Sequence, residues 1–308
     1  MKGFNFIFRQ LCFHFVLLFF VPALAQERYV DSLFADVGIQ TFNYSDTLQL
    51  DVYSPKNDKI TDRPLLLLVH GGGFAIGKRD NPLEKKFSTT LAKKGYVTAS
   101  MSYRLTRKGK SFSCDCPADE KLETFKLVTE DVLNATNYLI KNATSIKFNP
   151  DKIILVGSSA GAEAVLNTVY MRYHRDFRQL PYGEPYFAGV VSFAGAVLNV
   201  EYITKKNAVP ALLFHGAKDR LVPFGTAPHH FCDDSTPGFL PLDGSKTIAE
   251  KLTELNVPFQ LYHDPKGNHD WANIAYDYTD EVAHFVKAII LNGQQEKSTI
   301  TITSNPQG

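Results

Sequence analysis

Residues 153–161, Ile-Ile-Leu-Val-Gly-Ser-Ser-Ala-Gly, hold a serine in surroundings that suit a nucleophile. An apolar run typical of a buried strand stops in a Gly-x-Ser-x-Gly pattern centred on Ser159. A strand that turns directly into a helix strains its turn residue, and Gly157 and Gly161 lack the side chains that would block this close approach. A plain glycine-serine loop is the alternative, because so short a pattern recurs by chance. We predict that Ser159 presents an exposed, reactive hydroxyl.

A serine hydroxyl is a weak nucleophile, so the chain must also supply a base and a carboxylate that orients the base. Asp219 follows the predicted strand 209–214 by a short glycine-containing loop, and His269 lies in a glycine-containing loop after the last predicted strand. These positions give the order serine, acid, histidine at the ends of successive strands. We therefore predict that Ser159, Asp219 and His269 are the catalytic residues.

Other residues compete for the acid and base positions. Asp233 and Asp234 are alternative acids, and His263 is an alternative base because it lies nearer to the end of its strand. A simple turn aspartate and a polar loop histidine are the non-catalytic alternatives. His215 precedes the acid, so we expect it to shape the loop of the acid instead of reacting.

A second glycine-rich stretch, His-Gly-Gly-Gly-Phe at residues 70–74, directly follows the apolar run 65–69. Glycines after a central strand let the backbone approach a ligand closely and leave N–H groups free to point at an anion. A flexible turn is the alternative, but a histidine before three glycines is the arrangement that accompanies nucleophile elbows. We predict an oxyanion hole made by the N–H groups of Ala160 and of Gly72 or Gly73.

Strands and helices alternate around these residues. Residues 37–43 and 48–53 show the alternation of an antiparallel hairpin, and the continuous apolar run 65–69 is typical of a strand buried on both faces. The other predicted strands begin at residues 96, 153, 187, 209 and 258, and the predicted helices span 81–94, 120–141, 245–255 and 275–291, besides one after the elbow. The pattern predicts an α/β domain with a mostly parallel, eight-stranded sheet, an antiparallel N-terminal hairpin and helices on both faces.

The chain ends differ in composition from the segment between them. Lys2 and Arg9 precede an apolar run that ends in Ala-Leu-Ala, so residues 1–25 are predicted to be a signal peptide cleaved after Ala25. The expected result is export to the periplasm or the extracellular space, with an uncleaved membrane anchor as the alternative. We assign residues 26–292 to the domain and the polar residues 293–308 to a flexible tail.

Composition limits the partners of the chain. With 308 residues, of which 44% are hydrophobic, it can bury the core of a single large domain. Removing Lys2 and Arg9 from the 33 basic residues leaves 31 against 32 acidic residues, a net charge of −1. Such balance argues against nucleic acid or an anionic membrane as the main partner.

Three cysteines lie outside the predicted signal peptide, namely Cys114, Cys116 and Cys232. An oxidising compartment permits a disulfide, and cysteines two residues apart rarely pair with each other. We therefore expect one bridge from Cys232 to Cys114 or Cys116, and we take Cys116 with Cys232 as the candidate pair. A metal site is disfavoured, because no tight cluster of histidines accompanies the cysteines.

Taken together, the elbow, the glycine stretch at residues 70–73, Asp219 and His269 resemble the α/β-hydrolase superfamily, in the order in which its motifs occur. The resemblance spans about residues 37–291 and is strongest to bacterial carboxylesterases, including acetyl and feruloyl esterases that act on plant polysaccharides. It implies a serine esterase that forms a covalent acyl-enzyme on small or carbohydrate-linked esters. It also implies that no metal or organic cofactor is needed.

The resemblance leaves substrate choice open. A clear N-terminal helical cap is absent from the sequence pattern, so residues 104–119, 173–186 and 225–244 would have to build the acyl and alcohol pockets. A serine peptidase of the same fold is one alternative, although such peptidases usually carry an additional gating domain. A catalytically silent binding protein is another, but its signature would be loss of the serine or the histidine, and both are present.

Overall fold

The computed structural model describes residues 26–183 and 187–303. The predicted signal peptide, residues 1–25, and the last five residues of the predicted tail lie outside the described residues. Signal cleavage and export therefore stay predictions. None of the helices in the described part of the chain is long and apolar enough to cross a membrane.

The strands of the described chain form one large and one small sheet. The large sheet is nine-stranded, in the order β1-β2-β4-β3-β5-β6-β8-β11-β12, and a three-stranded sheet has the order β7-β10-β9. The strands are β1 Val37–Asn43, β2 Gln49–Pro55, β3 Leu65–Val69, β4 Val97–Met101, β5 Ile153–Ser158, β6 Phe187–Phe193, β7 Ala196–Val197, β8 Ala211–Gly216, β9 Thr226–Pro228, β10 Pro241–Gly244, β11 Phe259–Asp264 and β12 Lys297–Thr301.

Helices follow most strands of the large sheet. The α-helices are α1 Pro82–Lys93, α2 Ala118–Lys141, α3 Ala143–Ile146, α4 Ala160–Tyr170, α5 Ser245–Glu254, α6 Trp271–Ile274 and α7 Thr279–Phe285. Short 3-10 turns span Val200–Tyr202, His229–Phe231 and Ala275–Asp277, and a π-helical stretch, Val286–Leu291, continues α7. The predicted final helix 275–291 is therefore divided into three pieces.

The predicted mostly parallel sheet with an antiparallel N-terminal hairpin is confirmed. β1 pairs with β2, and β2 with β4, in antiparallel fashion, whereas every pair from β4 to β12 is parallel. Alternate side chains of β3 point to opposite faces, so Leu65 and Leu67 join one core cluster and Leu66 and Leu68 join another. The first cluster contains residues of α2, α4 and α5, and the second contains residues of α1 and α7. Helices thus cover both faces, as the apolar run predicted.

The sheet has nine strands where we predicted eight, because β12 lies in the segment assigned to a flexible tail. Residues Lys297–Thr301 pair in parallel with β11, for example Thr299 with Leu261. An edge strand offers a row of unpaired N–H and C=O groups, and Thr299, Ile300 and Thr301 have the β-branched side chains that strands favour. Because this segment is polar, its sequence did not predict a strand. The tail assignment and its boundary at residue 292 were therefore wrong for these residues.

The insertion 225–244, in which we predicted no strand, contains β9 and β10. These strands pair with each other, and β10 also pairs with β7. Strands of two to four residues show too little alternation to be recognised in a sequence. The small sheet lies next to the loop that carries Asp219, since His230 donates its backbone N–H to the Leu221 carbonyl at 2.9 Å.

Candidate functional site

The turn between β5 and α4 has the strained geometry predicted for an elbow. Ser159 has φ 51° and ψ −123°, in a region that residues with a side chain rarely adopt. A Cβ at Gly161 would lie 2.1 Å from the carbonyl oxygen of Val69, and one at Gly157 would lie 2.3 Å from the carbonyl oxygen of Gly161. Only glycine fits at these two positions, so α4 can pack directly on β3 and β5.

The structure brings the three predicted catalytic side chains into one hydrogen-bonded chain. Ser159 Oγ lies 2.8 Å from His269 Nε2, and His269 Nδ1 lies 2.6 Å from Asp219 Oδ2. A carboxylate only accepts, so the Nδ1–H donates to it and the Nε2 lone pair faces the serine hydroxyl. The other oxygen of Asp219 accepts the backbone N–H groups of Leu221 and Val222 at 2.8 and 3.0 Å. This arrangement suits proton transfer from Ser159 to His269.

Asp219 is held as an anion although it is 1% exposed. Burial acts to raise the pKa of Asp219, but hydrogen bonds from His215 and His269 outweigh it and place the pKa well below its ordinary value. His215 Nε2 lies 3.4 Å from Asp219 Oδ2, and His215 Nδ1 lies 2.8 Å from Ser245 Oγ. His215 therefore shapes the surroundings of the acid, as predicted. Ser245 was missed, because a serine at the start of a helix is usually a surface residue.

The glycine stretch after β3 forms a tight loop beside Ser159. Gly72 and Gly73 have φ of 117° and 59°, and His70 Nδ1–H donates to the Gly71 carbonyl at 2.7 Å. The Tyr103 hydroxyl donates to the His70 carbonyl at 3.0 Å. Gly71 and Gly72 share the lining of one cavity with Ser159 and His269, whereas a Cβ at Gly73 would meet nothing within 4 Å.

Ala160 is the first residue of α4, so its N–H has no carbonyl acceptor within the helix. The start of the helix also carries a partial positive charge that favours an anion. Ala160 directly follows Ser159, and Gly72 lines the same cavity as Ser159. The role of these N–H groups, and of Gly73, as an oxyanion hole stays a prediction.

The alternative acids and base lie elsewhere. His263 Nε2 is 3.3 Å from Thr301 Oγ1, at the edge of the sheet. Asp233 accepts the N–H and hydroxyl of Ser235 in an exposed turn, and Asp234 is exposed beside it. The structure does not bring any of the three to Ser159.

The predicted pairing of Cys116 with Cys232 is wrong. Cys114 and Cys232 form the disulfide, with a Cα–Cα distance of 5.2 Å, and Cys116 is free and buried. Gly238 donates its N–H to the Cys114 carbonyl at 2.9 Å, so the insertion 225–244 runs alongside Cys114. Cys116 instead turns into the protein interior, where burial raises the pKa of its thiol. The sequence alone cannot show which of two cysteines so close together faces a distant partner.

A buried polar cluster behind the site was also missed. Glu163 and His229 are each nearly inaccessible, and Glu163 Oε1 lies 3.4 Å from His229 Nε2. Burial raises the pKa of Glu163 well above its ordinary value and lowers the pKa of His229 well below its own. Lys121 Nζ donates to the Gly238 carbonyl at 2.8 Å. These contacts and the disulfide fix the insertion 225–244 to α2 and α4, although no sequence spacing relates the three elements.

A family model described as BD-FAE matches residues 50–195. The matched stretch contains residues 70–73 and Ser159 but ends before Asp219 and His269. Asp219 and His269 are therefore assigned to the site from the folded structure and not from the family model.

The chain is similar to several known proteins. It is 29% identical over 126 residues to methylphloroacetophenone synthase of Cladonia uncialis, which covers 40% of this chain and 5% of that protein. It is 28% identical over 155 residues to gut esterase 1 of Caenorhabditis elegans, which covers 50% of this chain and 26% of that protein. The chain thus spans about a quarter or less of the length of these two relatives.

A solved structure shares the fold over most of this chain. The thermophilic esterase Est2 of Thermogutta terrifontis aligns with a TM-score of 0.59 at 19% identity, over 83% of this chain and 93% of that protein. At this identity the likeness concerns the fold alone.

Proposed function

We propose that this chain, which has the α/β-hydrolase fold and resembles the carboxylesterases of that superfamily, is a serine carboxylic-ester hydrolase. The observation that carries the proposal is the continuous chain of hydrogen bonds from Ser159 Oγ through His269 to Asp219, at 2.8 and 2.6 Å. The proposed substrates are small or carbohydrate-linked esters. Names of several similar proteins, such as gut esterase 1, support the same chemistry.

Acylation begins when Ser159 Oγ attacks the carbonyl carbon of the ester and its proton passes to His269 Nε2. The carbonyl oxygen becomes an oxyanion, which the N–H groups of Ala160 and of Gly72 or Gly73 bind. Each such donor typically stabilises the transition state by about 3 kcal/mol. Asp219 stabilises the imidazolium, and collapse of the intermediate transfers the proton from Nε2 to the departing alcohol.

Deacylation repeats these steps with water. His269 Nε2 accepts a proton as the water oxygen attacks the acyl carbon, and the same group returns that proton to Ser159 Oγ as the C–O bond to the enzyme breaks. The products are the carboxylic acid and the free serine. Every proton taken up by His269 is thus released again, and the cycle needs no other reactant.

Hydrolysis of a p-nitrophenyl ester series, from acetyl to long acyl chains, tests the proposal. Ser159→Ala should lower kcat/KM by about 10⁴-fold or more, because the nucleophile is lost while the fold remains. Ser235→Ala is a matched control, since the Ser235 hydroxyl donates to Asp233 at 2.7 Å in an exposed turn outside the cavity. Equal activity in wild type and Ser159→Ala would refute the mechanism.

We also propose that the chain is exported. The composition of residues 1–25 supports a cleaved signal peptide. The disulfide between Cys114 and Cys232 fits an oxidising compartment such as the periplasm or the extracellular space. N-terminal sequencing of the protein recovered from its native cells tests cleavage after Ala25, and an intact Met1 would contradict it.

A further inference from the structure

The cavity beside Ser159 has a polar wall that the proposed mechanism does not use. Its volume is about 460 Å³, and it extends from Ser159 and His269 to Asn81, Glu84 and Asn273. None of these three side chains takes part in proton transfer or in binding the oxyanion. Their place in the cavity wall makes them available to contact a bound substrate.

Both asparagine amides are free to bind a ligand. Asn81 precedes α1 in the position where an asparagine usually caps the helix, but its side chain makes no such bond. Within the described part of the chain, no side-chain hydrogen bond involves the amide of Asn81 or Asn273. Each amide offers both a donor and an acceptor, the combination that recognises a hydroxyl group.

Glu84 differs from the two asparagines because it is buried and fixed. It is 5% exposed, and the Tyr276 hydroxyl donates to its Oε1 at 3.0 Å. Burial raises the pKa of Glu84 above its ordinary value. A buried carboxyl in a cavity wall is costly unless hydrogen bonds offset its desolvation, and substrate hydroxyl groups can add such bonds.

The position of the cavity indicates which end of the ester it holds. His269 must deliver a proton from Nε2 to the oxygen of the departing alcohol, so that oxygen lies beside the imidazole. His269, Ala272 and Asn273 line the cavity together with Gly71 and Gly72 of the glycine loop. Because His269 belongs to its wall, we place the departing alcohol in this cavity.

We propose that Asn81, Glu84 and Asn273 form a specificity subsite that selects alcohols with hydroxyl groups close to the ester bond. The inference rests on the proposed ester hydrolysis and deepens it. A hydroxylated alcohol would bind these groups through direct hydrogen bonds, whereas an alkyl alcohol would displace solvent from them without replacing its hydrogen bonds.

The test compares glycerol 1-acetate with propyl acetate, which share the acyl group and the three-carbon length of the alcohol but differ in two hydroxyl groups. The wild-type protein should have a higher kcat/KM for glycerol 1-acetate. Asn273→Ala and Glu84→Gln should each lower the ratio of the two kcat/KM values by about fivefold, the effect of one hydrogen bond. The change should appear mainly in KM for glycerol 1-acetate.

Asn292→Ala is the matched control, because this asparagine is exposed outside the cavity and should leave the ratio unchanged. Asn273 is itself exposed, so its variant should fold even if Glu84→Gln does not. A second ester pair, propyl lactate and propyl propionate, places the hydroxyl in the acyl group. A ratio unchanged in both variants, or a change confined to this second pair, would overturn the subsite.

The two proposals fail in different ways. A wild-type protein that hydrolyses propyl acetate through Ser159 but shows no preference for glycerol 1-acetate contradicts only the subsite. Turnover of both esters by Ser159→Ala contradicts the proposed function itself.

Discussion

Asp219 shows how single residues set the chemistry of this site. Its carboxylate receives backbone N–H groups on one oxygen and lies near two histidines on the other. These contacts keep it ionised inside the protein, as the proposed mechanism requires for Asp219 to orient His269 and balance the positive charge on its ring. A sequence motif identifies the serine, but only the folded chain distinguishes Asp219 from Asp233 and Asp234.

The low pKa of Asp219 predicts a pH-dependent contribution to stability. The pKa is lower in the folded state, so the contribution is complete above the unfolded pKa of about 4 and is lost as the pH falls below it. Urea unfolding should show that wild type has a larger free energy of unfolding than Asp219→Asn at pH 5. This difference should become smaller as the pH is lowered to 3. Asp234→Asn serves as the control, because that carboxylate is exposed. A difference independent of pH would contradict the assignment.

At the scale of elements, the sequence predicted most strands and helices but not the contacts between elements that are distant in sequence. Continuous apolar runs predicted β3 and β5, because strands buried on both faces need apolar side chains throughout. The insertion 225–244 was recognised only as a border of the site. Its position depends on contacts between distant segments, including the bridge from Cys114 to Cys232 across 118 residues, and local patterns carry no information about such contacts.

The disulfide should make a measurable contribution to stability. Cys114→Ala should lower the free energy of unfolding by about 2–4 kcal/mol, because the bridge restricts a long loop of the unfolded chain. Cys116→Ala removes a buried thiol of the same size without breaking a bond, so its cost should be clearly smaller. Urea unfolding under non-reducing conditions measures both. Equal losses in the two variants, or none for Cys114→Ala, would contradict the pairing in the structure.

At the scale of the whole molecule, the parallel sheet assembles a site from residues far apart in sequence. The loop at residue 70, Ser159, Asp219 and His269 each follow the carboxyl end of a strand, namely β3, β5, β8 and β11. In an open α/β sheet these ends lie along one edge, so the predicted strands already brought the candidate residues to the same edge of the sheet. The ninth strand was not predictable in this way, because Lys297–Thr301 is polar and owes its place to the open edge of β11.

The fold therefore accounts for the position of the candidate site, whereas the proposed selectivity depends on the side chains around it. The glycines at the elbow are dictated by close packing, and their spacing is visible in the sequence. The polar wall of the cavity combines residues that precede and enter α1 with one from α6. No spacing relates these segments, so the proposed subsite became apparent only in three dimensions.

The most direct test of the central claim is covalent labelling with diethyl p-nitrophenyl phosphate, which transfers its diethylphosphoryl group to an activated serine and releases p-nitrophenol. Mass spectrometry should find one adduct per chain, on the peptide that contains Ser159, and ester hydrolysis should fall in proportion to labelling. His269→Ala should be labelled far more slowly, because its serine lacks a base. Labelling of Ser159→Ala at the wild-type rate, or full activity after complete labelling of Ser159, would contradict the account.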